Sequence, residues 1–229
     1  MDIYSNRKII LVTALFLGFN SIVSADDYSA CSIAYDEGRS GNYITSIEHA
    51  TTCLDIQNLP CRKRKTALLV RAWGNYYGLH NYLEAVADQT AGMEIGKPSK
   101  DDYRNLALYL KRAKKYPESL KAALEANRLD RESDSPTMPT QYHLGWAYYD
   151  NGQFEEAITA LSEGVPLQPD FPFVYFWRAM SYEKTGDLDS AAKDLRIVKS
   201  LLDNEYWLNN SSGLLTEVKA AFERFHINR

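Results

Sequence analysis

A repeat of 34 residues in the second half of the chain constrains the fold more than any other feature of the sequence. At this shift four pairs align: Tyr148 with Tyr182, Gly152 with Gly186, Ala157 with Ala191 and Leu161 with Leu195. Each copy has apolar residues at three- and four-residue spacing in two halves, separated by a turn, which predicts two helices. A single helix pair cannot bury its apolar face, so the copies are expected to stack into an all-α solenoid.

Weaker copies precede these two. A shift of 38 residues relates Leu106, Ala107 and Tyr116 to Leu144, Gly145 and Phe154. Residues 41–54 and 80–93 share an Asn-Tyr turn that is followed three residues later by a small residue. We therefore predict about five helix hairpins within an array over residues 26–205. Their approximate bounds are 27–60, 66–99, 100–133, 138–171 and 172–205.

One set of positions resembles the tetratricopeptide repeat motif: Leu144, Gly145, Tyr148, Ala157, Leu161 and Pro169. The sequence departs from that motif at Gln141, where the family has Trp, and at Leu161, where it has Phe. The resemblance covers about residues 27–205 and is strongest over 138–205. It implies an α-solenoid whose first helices line a concave groove that binds a protein or peptide.

The last repeat needs a cover, because the end of a stacked array exposes an apolar face. Residues 214–225 provide one, with apolar side chains on one helical face and charged side chains on the other. We predict a capping helix within residues 206–229.

The N-terminus has the pattern of a secretory signal peptide. Arg7 and Lys8 precede an apolar run of 11 residues, and small residues follow at Ser24 and Ala25. Crossing the hydrocarbon core takes roughly 20 residues, so the run is short for a membrane anchor. We expect cleavage of residues 1–25 and export to a bacterial periplasm, with secretion from the cell as the alternative.

Without residues 1–25, the chain has 24 basic and 29 acidic residues and a net charge of −5. This acidic balance argues against general binding of nucleic acid. The expected partner is a protein or peptide, and the sequence does not specify an oligomeric state.

The three cysteines all lie near the start of the mature chain. Export favours disulfide formation, and three thiols allow one bridge and one free cysteine. In the hairpin alignment Cys31 lies early on one helix and Cys53 late on its antiparallel partner, so we predict that these two are bridged. A bridge between Cys53 and Cys61 is the main alternative. A zinc site would require a fourth ligand, and the nearby His49 and His80 match no standard spacing.

An aromatic stripe on the first helices of the last two repeats is one candidate binding surface. Aromatic and Met side chains are favoured at interfaces. The alternative is that these side chains simply pack adjacent repeats together. The candidate residues are Tyr142, Trp146, Tyr149, Phe176 and Met180.

A polar clamp is the second candidate. Related peptide-binding tetratricopeptide domains hold a C-terminal carboxylate with a basic residue and Asn on one first helix and an Asn on the next. Arg71, Asn75 and Asn105 stand in the matching positions. Those domains also have Lys and Arg on the first helix of a third repeat, where this sequence has Pro139 and His143. The alternative is that these polar side chains are merely solvated.

Two basic runs, CRKRK at 61–65 and KRAKK at 111–115, favour an alternative function in binding a glycan or glycolipid. A structural subunit of an envelope or secretion complex is a further alternative. None of the four histidines belongs to a nucleophile or metal motif, and phosphate-binding glycine loops are lacking. We predict a binding scaffold rather than an enzyme, without a cofactor or metal.

Overall fold

The computed structural model describes residues 28–133, 137–202 and 212–227. The described residues form helices and no strand. The α-helices are α1 Ser29–Arg39, α2 Tyr43–Leu54, α3 Cys61–Gly74, α4 Tyr82–Met93, α5 Lys100–Arg112, α6 Tyr116–Glu132, α7 Met138–Asp150, α8 Phe154–Gly164, α9 Pro172–Thr185, α10 Leu188–Leu202 and α11 Ser212–Arg224. A π-helical turn, Asn75–Leu79, follows α3, and a 3₁₀ turn, Val165–Leu167, follows α8.

Consecutive helices pack in pairs along the chain: α1 with α2, α3 with α4, α5 with α6, α7 with α8 and α9 with α10. This arrangement confirms the predicted all-α solenoid of about five hairpins. The first helices of neighbouring hairpins also touch, α1 with α3, α5 with α7 and α7 with α9. They therefore form one inner face of the array. In the second hairpin, α3 begins at Cys61, upstream of residue 66.

Small residues let the two helices of a hairpin approach each other. A methyl group on Gly145 would overlap the side chain of Leu161, so only glycine fits at this crossing. In the first and third hairpins the small residue is a serine, which also forms a hydrogen bond between the two helices. The hydroxyls of Ser46 and Ser119 donate hydrogen bonds of 2.7 Å to the carbonyl oxygens of Ala34 and Ala107 on the facing helices.

The hydrophobic core is uneven along the array. The two C-terminal hairpins and α11 share one large cluster of buried side chains, whereas the first hairpin has small clusters built around Ala34, Ala50 and Cys53. Val218 and Ala221 of α11 are buried in the large cluster. Arg224 also pairs with Glu183 of α9 at 3.0 Å. The predicted capping helix is thus confirmed.

A disulfide joins Cys31, near the start of α1, to Cys53, near the end of α2. Their Cα atoms lie 5.0 Å apart, because the two helices run antiparallel and bring these ends together. Cys61 is an exposed free thiol. The predicted pairing is confirmed, and the pairing of Cys53 with Cys61 is not found.

Removing this bridge should destabilise the protein. Replacing Cys31 and Cys53 by Ser is expected to lower the free energy of unfolding by about 2–4 kcal/mol, because a cross-link restricts the unfolded chain. Urea unfolding measures the change, with Cys61→Ser as the matched control. Equal unfolding midpoints for the double variant and the control would contradict this assignment.

In the described part of the chain, no helix has the length and apolar character needed to cross a membrane. The predicted signal peptide over residues 1–25 and its cleavage site lie outside the described residues.

Candidate functional site

The aromatic stripe predicted to line a groove is mostly buried. Tyr142 and Trp146 are each 9% exposed, and Phe176 and Met180 are 1% and 5% exposed. Trp146 stacks on Trp177 of the next repeat, with the ring centroids 5.0 Å apart. Four of the five candidates are buried, and Tyr149 is half-buried. The structure therefore favours packing between adjacent repeats over an open binding surface for this group.

The predicted carboxylate clamp is not assembled. The guanidinium of Arg71 donates two hydrogen bonds to Asp88 of α4, at 2.8 and 2.7 Å. This hydrogen-bonded carboxylate raises the pKa of Arg71 and occupies the donors that a ligand would need. Asn75 is buried at the start of the π turn, whereas Asn105 lines a cleft. Asp88 therefore satisfies the charge of Arg71 internally, and ligand binding by Arg71, Asn75 and Asn105 stays a prediction.

The inner face of the first three hairpins contains an open cleft of about 320 Å³. Its walls come from α1, α3, the π turn and α5, together with Gln89 of α4. Tyr35 and Tyr77 are 45% and 46% exposed, so both rings can be reached by a ligand. The lining residues are Tyr35, Thr66, Leu69, Val70, Trp73, Tyr77, Gln89, Asn105, Leu108 and Tyr109.

The cleft forms where long side chains bridge α3 and α5. Tyr76 and Tyr109 contact each other with ring centroids 4.8 Å apart, and Lys65 pairs with Asp102 at 3.1 Å. The π turn carries Tyr77 into the cleft wall, where it contacts Trp73 edge to face at 6.0 Å. Such turns often mark functional sites in helices. Sequence reasoning missed this wall, although Trp73 and Tyr77 have the four-residue spacing of one helical face.

Lys111, from the second basic run, lies over the aromatic stripe. Its Nζ is 2.9 Å from the ring centroid of Trp146 and 2.8 Å from Asp150 Oδ2. Burial lowers the pKa of Lys111 to about 7, and Asp150 acts in the opposite direction. The same burial raises the pKa of Asp150. Lys111 is therefore an internal partner rather than a free cation on the surface.

His143 packs beside this lysine, against the rings of Tyr142 and Trp146. Burial lowers the pKa of His143 to about 3, and the charges of Arg104 and Lys111 add to this effect. The folded protein thus keeps the imidazole neutral, whereas the unfolded chain protonates it below its ordinary pKa. Because the unfolded state then binds more protons, stability should fall as the pH drops from about 6.5 towards 3.

We accordingly expect His143→Gln to lose less stability on acidification than the wild-type protein does, since glutamine does not titrate. Urea unfolding at pH 7 and pH 4.5 measures the difference for both proteins. Parallel losses in the two proteins would show that His143 is protonated in the folded state.

Family models match the C-terminal half of the array. Residues 145–186 match a model described as TPR repeat, and residues 173–201 match one described as tetratricopeptide repeat. This part of the array thus consists of tetratricopeptide repeats. The cleft between α1, α3 and α5 lies outside these matched residues, on the inner face that the first helices form.

Solved tetratricopeptide-repeat structures share the fold. MamA from Desulfovibrio magneticus RS-1 superposes with a TM-score of 0.63 at 16% identity, over 76% of this chain and 96% of its own. A MamA structure labelled MSR-1 gives 0.63 at 15% identity, over 76% and 95%. YrrB, described as a TPR protein with an unusual peptide-binding site, gives 0.62 at 12% identity, over 81% and 91%. No curated protein sequence matches significantly.

Proposed function

We propose that this tetratricopeptide-repeat protein is an exported, non-enzymatic scaffold that binds a protein or peptide segment in the cleft between α1, α3 and α5. One observation carries the proposal: two half-exposed tyrosines, Tyr35 and Tyr77, frame a cleft of about 320 Å³ on the inner face. Aromatic side chains in a concave site bury much area with few rotatable bonds to fix. YrrB, which has the same fold, is described as having a peptide-binding site.

A cleft variant tests this function. Peptides selected from a random phage-displayed library against the mature protein serve as probes, and calorimetry measures their affinity. Tyr77→Ala should weaken binding by about tenfold or more, because an aromatic anchor at an interface costs roughly 2 kcal/mol when truncated. Tyr116→Ala is the matched control, since Tyr116 is 37% exposed but does not line the cleft. Failure to select any peptide, or equal affinity for both variants, would count against the proposal.

Export is supported by the signal-peptide pattern and by the Cys31–Cys53 bridge, since disulfides persist in oxidising compartments. We expect the exported protein to begin at Asp26, with the periplasm preferred over secretion from the cell. N-terminal sequencing of protein from a periplasmic extract tests this. An intact Met1 or a lipidated Cys31 would refute it.

Binding of a glycan or glycolipid through the basic runs is less well supported, because three of their lysines have internal partners. Lys63 lies over the ring of Tyr28, Lys65 pairs with Asp102, and Lys111 pairs with Asp150. Assembly into an envelope or secretion complex remains the structural alternative. Binding through the basic runs should weaken strongly with salt, whereas binding by aromatic anchors should persist.

A further inference from the structure

We infer that the segment bound in the cleft is acidic, and that Arg104 and Arg112 of α5 bind its side-chain carboxylates while the aromatic wall takes a neighbouring apolar side chain. This inference rests on the proposed function and specifies the chemistry of its ligand. It uses a different set of cations from the clamp that the sequence predicted.

Arg104 and Arg112 lie two helical turns apart on α5, a spacing that places them on one face. Each lies four residues from Leu108, which lines the cleft, so both are placed beside it on the same face of α5. Burial raises the pKa of the Tyr77 phenol, and the charges of Arg104 and Arg112 oppose that shift, so both guanidinium groups lie within electrostatic reach of the ring. Carboxylates bound by these two groups would therefore lie at the rim of the apolar cleft.

Arg112 differs from the arginines that stabilise the fold. Arg71 and Arg178 each donate two hydrogen bonds to an aspartate of the partner helix. Arg112 is exposed, its Cζ lies 6.0 Å from the Trp146 ring, and it interacts with the Tyr76 hydroxyl. In the described part of the chain, no carboxylate lies within ion-pair distance of Arg112. The N–H donors of the Arg112 guanidinium group are thus available to a carboxylate of a ligand.

Arg104 can also bind a ligand carboxylate at little cost in stability. It pairs at 3.0 Å with Asp101, three residues earlier on the same helix, whose side chain is 60% exposed. Exposed pairs of this kind contribute little to stability, so a ligand carboxylate can replace Asp101 at small cost.

Arg104 and Arg112 carry positive charge on this face, whereas the net charge of the whole chain is −4. Asp150, on the same inner face, is occupied by Lys111. The guanidinium groups of Arg104 and Arg112 therefore give this part of an acidic protein a positive field, which steers acidic segments towards the cleft. Tyr35, Trp73, Tyr77 and Leu108 supply apolar walls, and the cleft volume of about 320 Å³ suits one or two large side chains.

Synthetic peptides of one length, labelled with a fluorophore and amidated at the C-terminus, test this inference by fluorescence polarisation. The first carries Leu-Phe flanked by Glu, the second has Gln in place of each Glu, and the third keeps Glu but replaces Leu-Phe with Ser-Ser. Amidation leaves side-chain carboxylates as the only anions. We expect the first to bind at least about tenfold more tightly than either of the others, since charge-assisted bonds and an apolar anchor both contribute.

Arg104→Gln and Arg112→Gln should each reduce this preference for Glu over Gln severalfold, and raised salt should reduce it as well. The matched control is Arg128→Gln, because Arg128 lies on α6 and pairs there with Glu125 and Glu132. Urea unfolding checks folding. Arg104 pairs with Asp101 rather than with Tyr76, so its variant keeps the test valid if Arg112→Gln unfolds.

The outcomes separate this inference from the function on which it rests. Equal binding of the Glu and Gln peptides, lost in Tyr77→Ala, would overturn the acidic ligand but keep the cleft as a peptide site. A preference for Glu that survives both arginine variants would overturn the assignment to Arg104 and Arg112. If neither these peptides nor the selected library binds, the proposed function fails, and the acidic ligand fails with it.

Discussion

Trp146→Ala is expected to lower the free energy of unfolding by about 3–5 kcal/mol, because removing a buried aromatic side chain leaves a cavity. Trp146 is 9% exposed and stacks on Trp177 across the boundary between two repeats. Its ring also lies beneath the ammonium of Lys111. A loss of this size would remove much of the stability of an ordinary domain.

Trp73→Ala is the matched control, since Trp73 is a half-buried indole that lines the cleft. We expect it to weaken peptide binding more than it lowers the unfolding midpoint, the reverse of Trp146→Ala. Urea unfolding and peptide affinity are measured on the same samples. A near-normal midpoint for Trp146→Ala together with lost binding would restore the aromatic stripe as the binding surface.

The second large effect is expected at a buried ion pair of the last hairpin. Arg178 donates hydrogen bonds of 2.7 and 2.8 Å to the two carboxylate oxygens of Asp194, whose side chain is 4% exposed. Asp194→Ala would leave the guanidinium without its counter-charge in the protein interior. Removing one partner of a buried pair typically costs about 3–5 kcal/mol, and urea unfolding measures the loss.

Replacing both partners, as in Arg178→Met with Asp194→Leu, should be less harmful than Asp194→Ala alone, because apolar side chains need no partner. Arg128→Ala is the surface control and should change the free energy of unfolding by about 1 kcal/mol or less. An Asp194→Ala protein as stable as this control would show that Arg178 reaches water when its partner is removed.

The fold could be predicted from the sequence because each copy of the repeat has small residues at the same helix contacts. Small residues at Gly145, Ala157 and Ala191 mark the helix crossings, and all three lie at buried positions of the array. The disulfide followed from the same alignment, since antiparallel helices bring Cys31 and Cys53 to one end. These inferences depend on spacing along the chain, which the sequence records directly.

The site was less predictable, because it depends on which partner each side chain finds. The position of Arg71 indicates a ligand-binding cation, but Asp88 on the paired helix satisfies it. The equivalent pairing of Arg178 with Asp194 repeats this arrangement. The cleft itself requires the π turn that places Tyr77, and no three- or four-residue periodicity predicts such a turn. Apolar periodicity also does not distinguish an inner face from a boundary between repeats, as Phe176 and Met180 show.

The position of the disulfide ties the proposed ligand recognition to the redox state of the surroundings. A stacked array unravels most easily from an end, and here the end with the thinner core is the one that carries the covalent bond. In a reducing compartment, α1 and α2 would detach first and take Tyr35 with them, while the C-terminal hairpins kept their shape. The protein would then persist as a shortened array with one wall of its cleft missing. Full recognition would be restored only where thiols are oxidised.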